Sequence, residues 1–372
     1  SYNGVCSPKT SLCECKSEWS GDRCQTLKLA PVQSRESGLR ARDEHRNTST
    51  WGGAVLLDDD GETLHMYAAE MLHHCGIDSW TTNSHIVHAV CRKSNGTCTE
   101  FQRVGEVWPA FSHEPNVVRA PTGEWVMYFT ASQNISGPQP PVCTVCSDGR
   151  TPASCGGSAA GVGPTYMIYS DSPYGPWSEP QKLFSEQQGI NMDTNLAPVI
   201  LKNGSVVGIG RTGGPPTGIV ARLVTAENWR DPSTYWMNVD EMLFPDTKVM
   251  NYAGVEDPFV WIDKNGIFHA VFHNQIQNDD ERLCGGHAFS VDGINNWTFT
   301  GTAWSNNVVF EDGTSYTFSR RERPHLVFAD TSNPFRITSL TTGVQYGQGS
   351  PIARPGEDAC YTLLQPVDSS ND

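Results

Sequence analysis

Residues Asn251 to His273 read NYAGVEDPFVWIDKNGIFHAVFH. An acidic start, Glu256-Asp257-Pro258, leads into an apolar strand from Phe259 to Ile262, an Asn265-Gly266 turn and a second alternating strand ending near His273. Asn-Gly between two apolar runs signals a hairpin, because both residues tolerate the positive φ of a type I′ turn. The same pattern recurs along the chain.

Aligned on their turn glycines, WGGAVLLDDDG ends at Gly61, HEPNVVRAPTG at Gly123, NLAPVILKNG at Gly204 and VEDPFVWIDKNG at Gly266, at intervals of 62, 81 and 62 residues. A fifth copy, ERPHLVFADTSNP, puts Ser332 in the turn slot. The long interval holds an insertion, roughly Gln133 to Gly163, rich in Gly, Pro and Ser and carrying Cys143, Cys146 and Cys155. Each unit continues with a further strand, a polar turn and usually a Trp: Trp177, Trp229 and Trp297. The first unit has HIVHAVCRKSNGTC instead, where Cys91 and Cys98 can staple the hairpin. Two hairpins per unit of about 60 residues make a four-stranded antiparallel blade, and five units predict an all-β, five-bladed β-propeller over residues 51–372. No helical periodicity competes. The 35 Gly, 24 Pro, 11 Trp, 11 Tyr and 14 Phe suit short strands and tight turns.

The net charge of −15 argues against a nucleic-acid or anionic-membrane partner. No run of about 20 apolar residues could span a bilayer. The chain begins at Ser1 without Met, as a processed or excerpted chain does. Twelve cysteines (Cys6, Cys13, Cys15, Cys24, Cys75, Cys91, Cys98, Cys143, Cys146, Cys155, Cys284 and Cys360) accompany five Asn-x-Ser/Thr sequons, at Asn47, Asn95, Asn134, Asn203 and Asn296. Together they predict a secreted, disulfide-bonded glycoprotein. Cys143-Thr-Val-Cys146 reads as disulfide chemistry before half a zinc site, since no second pair completes a metal set.

Residues 1–27 stand apart. Asn3-Gly4-Val5-Cys6, Cys13-Glu14-Cys15, Trp19, Gly21 and Cys24 resemble the C-terminal part of an epidermal growth factor-like module. The resemblance implies Cys6–Cys13 and Cys15–Cys24 bonds in a four-cysteine variant, or a module that begins upstream of Ser1. It also implies a spacer or contact role. Residues 28–50 are polar and read as a linker or wrapping arm.

In a propeller the starts of the first strands crowd one mouth of the central channel. Here those are Trp51-Gly52-Gly53, His113-Glu114, Asp193-Thr194-Asn195, Glu256-Asp257 and Arg321-Glu322-Arg323. Carboxylates among arginines can acquire unequal pKa values, as glycoside hydrolysis requires; an acid before Pro can equally cap backbone N–H groups. The repeats look like the propellers of glycoside hydrolase family 43 and its relatives in families 32, 62, 117 and 130. That resemblance implies an inverting mechanism with Glu256 as general acid, Asp193 as the residue tuning its pKa, Glu114 as a substrate-side carboxylate, and Arg321 or Arg323 holding an acid in register. It further implies a glycan ligand touching Trp51, His113, Asp257, Arg321, Glu322 and Arg323. No cofactor is expected, apart from a family-43-like calcium ion on the channel axis near His287 or His325.

The first repeat departs from the family. Where the family places its base, this chain has Trp51-Gly52-Gly53, and Asp58, Asp59 and Asp60 lie at the far end of that strand. Either Glu114 supplies the base, or the domain binds glycan without cleaving it, or the fold is a building block. GVEDP also resembles family 130, which follows it with Arg where this chain has Phe259. Arg211-Thr-Gly-Gly-Pro-Pro reads as a turn or a ligand-facing loop. His73-His74, His65, His269 and His273 lack a clean metal spacing. Trp51, Trp108 and Trp125 have faces that suit sugar rings or the blade core. Two functions remain open: a glycan-binding or glycan-processing propeller, and a self-associating subunit of an extracellular coat, matrix or fibre.

Overall fold

The computed structural model describes residues 2–7, 9–10, 12–40, 48–94, 96–132, 135, 163–185, 187, 190, 194–214, 218–244, 255–274, 284–330, 335–346 and 360–368. Five four-stranded antiparallel sheets follow one another around an axis. Blade I comprises Thr50–Leu57, Thr63–Met71, Ser84–Arg92 and Gln102–Trp108; blade II comprises Ser112–Arg119, Trp125–Ala131, Thr165–Ser170 and Gln181–Lys182. Blade III comprises Ala197–Ile200, Val206–Gly214, Gly218–Ala226 and Trp236–Met237; blade IV comprises Val255–Ile262, Phe268–Asn274, Cys284–Ser290 and Thr298–Trp304. The expected propeller is present.

The turn glycines explain the repeat. Gly61, Gly123, Gly204 and Gly266 all have φ between 73° and 105°, and at Gly61, Gly123 and Gly266 a Cβ would meet nothing. Their role is backbone conformation, not close packing. The turn in blade IV differs from the type I′ expectation, because Gly266 has positive φ and Asn265 does not. Asp263 takes over the turn chemistry: its Oδ1 accepts from the amides of Asn265 (2.8 Å) and Ile267 (3.0 Å). Ser332 lies outside the described residues.

Blade V is built from both ends of the chain. Arg320–Phe328, Ile337–Gln345 and Cys360–Pro366 are completed by Gly38–Leu39, which pair with Leu363 and Thr362. The segment expected as a linker or wrapping arm therefore contains a propeller strand. Gly38 accepts this position because a Cβ there would lie 2.0 Å from the Thr362 carbonyl oxygen. Its amide and carbonyl also bond to blade I, at Thr99 O and Phe101 N. The N-terminal arm thus fastens the first blade to the last and satisfies edge groups that an open ring would expose.

The first 27 residues dock rather than hang free. Hairpins Gly4–Cys6/Cys13–Cys15 and Trp19–Ser20/Thr26–Leu27 carry the Cys6–Cys13 and Cys15–Cys24 disulfides, as the module resemblance implies. Trp19 is buried and stacked on Trp261, with ring centroids 6.4 Å apart, in a cluster with Leu326 and Leu340 of blade V. Lys16 Nζ reaches Asp263 Oδ2 at 3.1 Å. The unit wedges between blades IV and V.

Cys91–Cys98 staples blade I, as expected, and Cys75 is also disulfide-bonded. Cys360 is buried at the start of its strand. Cys143, Cys146 and Cys155 lie outside the described residues, as do Asn47, Asn95 and Asn134. Asn203 and Asn296 are exposed in turns. No helix among the described residues is long and apolar enough to cross a membrane.

Candidate functional site

The five first strands share one backbone device. Gly52, Glu114, Asn195, Asp257 and Arg323, one per blade, all adopt positive φ, between 43° and 63°. The strand pairing shifts around four of them, between Trp51 and Gly53, His113 and Asn116, Glu256 and Phe259, and Glu322 and His325. In blades II, IV and V the bulge turns the side chain of Glu114, Asp257 or Arg323 toward the axis. In three blades the next residue is Pro, which disfavours the right-handed helical conformation for its predecessor.

Four of these side chains meet. Arg323 Nη2 donates to Glu114 Oε1 and lies 2.8 Å from Asp257 Oδ1. Asn195 Nδ2 donates to the other Glu114 oxygen, and Asn195 Oδ1 accepts from the Asp257 amide at 3.4 Å. The fifth position is Gly52, and the aliphatic stem of Arg323 lies across it. Glu114, Asn195, Asp257 and Arg323, with Pro115, Pro258, Pro324 and His325, line an axial cavity of about 30 Å3, room for a few waters with Arg323 in this position.

A second network lies beside it. Glu256 is ion-paired to Arg211 Nη1 and lies 3.2 Å from His273 Nδ1. His273 Nε2 is 4.0 Å from Glu322, which receives two bonds from Arg320, at 2.8 and 2.9 Å. Burial opposes ionisation of Glu256, but His273 and Arg211 outweigh it and hold the carboxyl well below the usual range. Burial likewise opposes protonation of His273, and Glu322 and Glu256 outweigh it, so its pKa is raised. Asp257 goes the other way: burial, reinforced by the Glu256 charge, outweighs Arg323 and pushes it up to about 6.

Several expected site residues take other positions. Glu256, expected as a proton donor, is paired with Arg211 and His273, which hold its carboxyl well below the usual range. Trp51 is buried and packed against Ala69, Met71 and Ile77, so it offers no face to a sugar. Arg321 is fully buried and bonded to Ser305 O and Gln365 Oε1 within the structure. His113 is buried against Trp80 with Ser84 Oγ 2.6 Å from its Nδ1, and Trp125 lies in the core. Glu322 belongs to the Arg320 network. Asp193 lies outside the described residues, and the third blade brings Asn195 to the axis. His287 is in blade IV between Thr300 and Asn3, while His325 does line the axial cavity.

Asn195 is at the mouth, where the repeat puts it, and Arg211, from the segment read as a turn or a ligand-facing loop, reaches Glu256; His273 is an addition that the sequence pattern did not assign to the site. The shared Pro after Glu114, Asp257 and Arg323 was the available signal: it aligns Asp257, not Glu256, with the other two.

No protein-family profile matches the chain, and no curated protein matches its sequence. Solved structures do match. The catalytic domain of a glycoside hydrolase family 62 α-L-arabinofuranosidase from Coprinopsis cinerea superposes with a TM-score of 0.57 at 12% identity, over 95% of this chain and 98% of that one. The fold is a five-bladed propeller, similar to the propellers of these glycoside hydrolases. A Podospora anserina α-L-arabinofuranosidase in complex with cellotriose gives 0.57 at 11% identity, over 96% and 98% of the chains. A family 43 β-1,3-galactosidase gives 0.52 at 13% identity, over 91% of this chain and 60% of its own. At such identities the likeness is one of propeller fold.

Glu256, Asp257 and His273 also bring one potential metal ligand atom each within 4.8 Å of one another. A divalent ion there would have to displace Arg211 and Arg323, so the group reads as an ion-pair network. The axial cavity does not suit calcium either. His325 points a buried Nε2 with no hydrogen-bond partner among the described residues, but the carboxylates nearby are already matched by Arg323, and calcium takes six to eight oxygens.

Proposed function

We propose that this protein is a secreted, glycosylated propeller that binds a glycan at its axial mouth and does not hydrolyse it. The observation that carries this reading is the Arg323 side chain, which lies over Gly52 and is shared by Glu114 and Asp257. An inverting hydrolase needs a carboxylate across the sugar from its acid, with space for water between them. Here that side of the mouth offers a glycine covered by an arginine stem. General-base help, typically worth about 10²–10⁴ in rate, is then missing.

Glu114, Asn195 and Asp257 supply the acceptors and donors, and Pro115, Pro258 and Pro324 the apolar faces, that a neutral sugar ring uses. The fold shared with arabinofuranosidases favours a plant- or algal-type polysaccharide. Disulfides and exposed sequons support secretion. The test is incubation of the purified protein with a polysaccharide panel. Saturable binding, abolished in Glu114→Ala, without released sugar is the expected result; absence of binding to every polymer overturns the reading.

A second reading, a subunit of an extracellular coat or fibre, draws on one observation. Val5 and Leu12, in the epidermal growth factor-like segment, are 78% and 72% exposed. A contact face there predicts concentration-dependent association by light scattering, lost in Val5→Ser/Leu12→Ser. A strictly monomeric protein at high concentration counts against it.

A further inference from the structure

We propose that the axial mouth is proton-gated: protonation of Asp257 loosens Arg323 and admits a neutral sugar ring, so glycan binding strengthens in mildly acidic surroundings. This rests on the glycan-binding reading above and assigns that site its regulation.

Among the described residues, Glu114 and Asp257 hold Arg323 unequally. Its Nη2 makes a hydrogen bond to Glu114, whereas the 2.8 Å approach to Asp257 Oδ1 is not aligned as a hydrogen bond and acts through charge. An attraction of that kind disappears when the carboxyl becomes neutral, while an aligned donor–acceptor pair persists. Arg323 then loses one of the anionic partners it has among the described residues, which weakens its hold over the mouth. Its side chain is 15% exposed and lines the cavity. The protonated Asp257 gains an O–H donor beside the Glu114 and Asn195 acceptors, the mixed set that sugar hydroxyls match.

The surroundings of Asp257 place this change in an accessible range. It is faced by Glu256 on its own strand, His273 on the next, Arg211 and Asn195 of blade III, Glu114 of blade II, and Glu322 and Arg323 of blade V. Their balance, dominated by burial, gives the value of about 6. Glu256 stays ionised throughout because Arg211 and His273 hold it, so one proton changes the state of the plug.

The experiment measures affinity for cellotriose and for α-L-arabinofuranosyl oligosaccharides by calorimetry at about pH 5 and about pH 8. Wild type is expected to bind about tenfold or more tightly at the lower pH, the direction that linkage requires when the bound state favours the protonated carboxyl. Asp257→Asn is expected to bind equally at both, at the tighter value. Arg323→Gln, which removes the plug itself, serves as the second variant if Asp257→Asn does not fold, and is also expected to lose the pH dependence. Binding by wild type that is equal at both pH values overturns the gate and leaves the glycan reading standing. No saturable binding by wild type or either variant at either pH overturns both.

Discussion

Arg323 lies across Gly52 so closely that a Cβ at position 52 would fall 2.2 Å from its Cδ. Gly52 also has φ of +63°, a conformation that costs other residues roughly 1–2 kcal/mol. Restoring a carboxylate here is therefore not a simple gain of function. Gly52→Asp is expected to lower the melting temperature by several degrees and to leave the protein without hydrolytic activity. Combined with Arg323→Ala, the same change is expected to cost less. Thermal denaturation of the single and double variants checks the coupling; equal losses would separate the two residues.

Removing the cation from the mouth leaves Glu114 and Asp257 buried together. Breaking a buried pair by deleting one partner typically costs about 3–5 kcal/mol. Arg323→Ala is expected to destabilise the fold by this order at neutral pH and by less in acid, where Asp257 is neutral. In wild type, Asp257 has a folded pKa above its ordinary value of 3.8. Its contribution thus favours the folded state below about pH 4 and is lost as pH rises to about 6. Melting curves across pH, compared with Asp257→Asn, isolate this slope.

His85 provides a pH dependence away from the mouth. Its ring lies 2.7 Å from Glu106 and 2.9 Å from Glu70. Burial opposes its charge, but the two carboxylates outweigh burial and raise its pKa above 6.5. The stabilisation is fully present below the unfolded value and is lost as pH rises through the folded one. Replacing His85 with Gln is expected to flatten stability against pH in that window, measured by urea denaturation. An unchanged slope would assign the dependence elsewhere.

The wedge between blades IV and V predicts that the N-terminal segment stabilises the whole ring. Trp19→Ala removes a ring that stacks on Trp261 and fills a shared core, a truncation that typically costs about 3–5 kcal/mol. Reduction of Cys15–Cys24 should have an effect in the same direction, because Cys24 is fully buried behind Gly4. A melting temperature unmoved by Trp19→Ala would make the segment an independent appendage.

The architecture was legible because the repeat rests on backbone chemistry. Gly61, Gly123, Gly204 and Gly266 occupy positive-φ turn positions, and such positions leave a mark that survives divergence elsewhere. The ring closure was not legible, since Gly38–Leu39 is too short to carry a period. At the mouth, Glu114, Asp257 and Arg323 could be proposed from their place in the repeat. Their pairing could not, because it depends on side chains from blades II, IV and V meeting across the axis. Glu256 and Asp257 are adjacent in sequence but a bulge sends them to different networks. Trp51 and Arg321 precede the bulges of their strands and are buried in the protein, which places Trp51 in the blade core, one of its two expected positions, and takes Arg321 away from the expected site.

The central claim is that the Arg323-plugged mouth binds glycan without cleaving it. The most direct test pairs binding with reducing-sugar release on the same preparation and the same oligosaccharides, for wild type and for Glu114→Ala. The account predicts saturable binding by wild type, its loss in Glu114→Ala, and no sugar released by either. Catalytic release by wild type that disappears in Glu256→Gln would contradict it and return Glu256 to the role of proton donor.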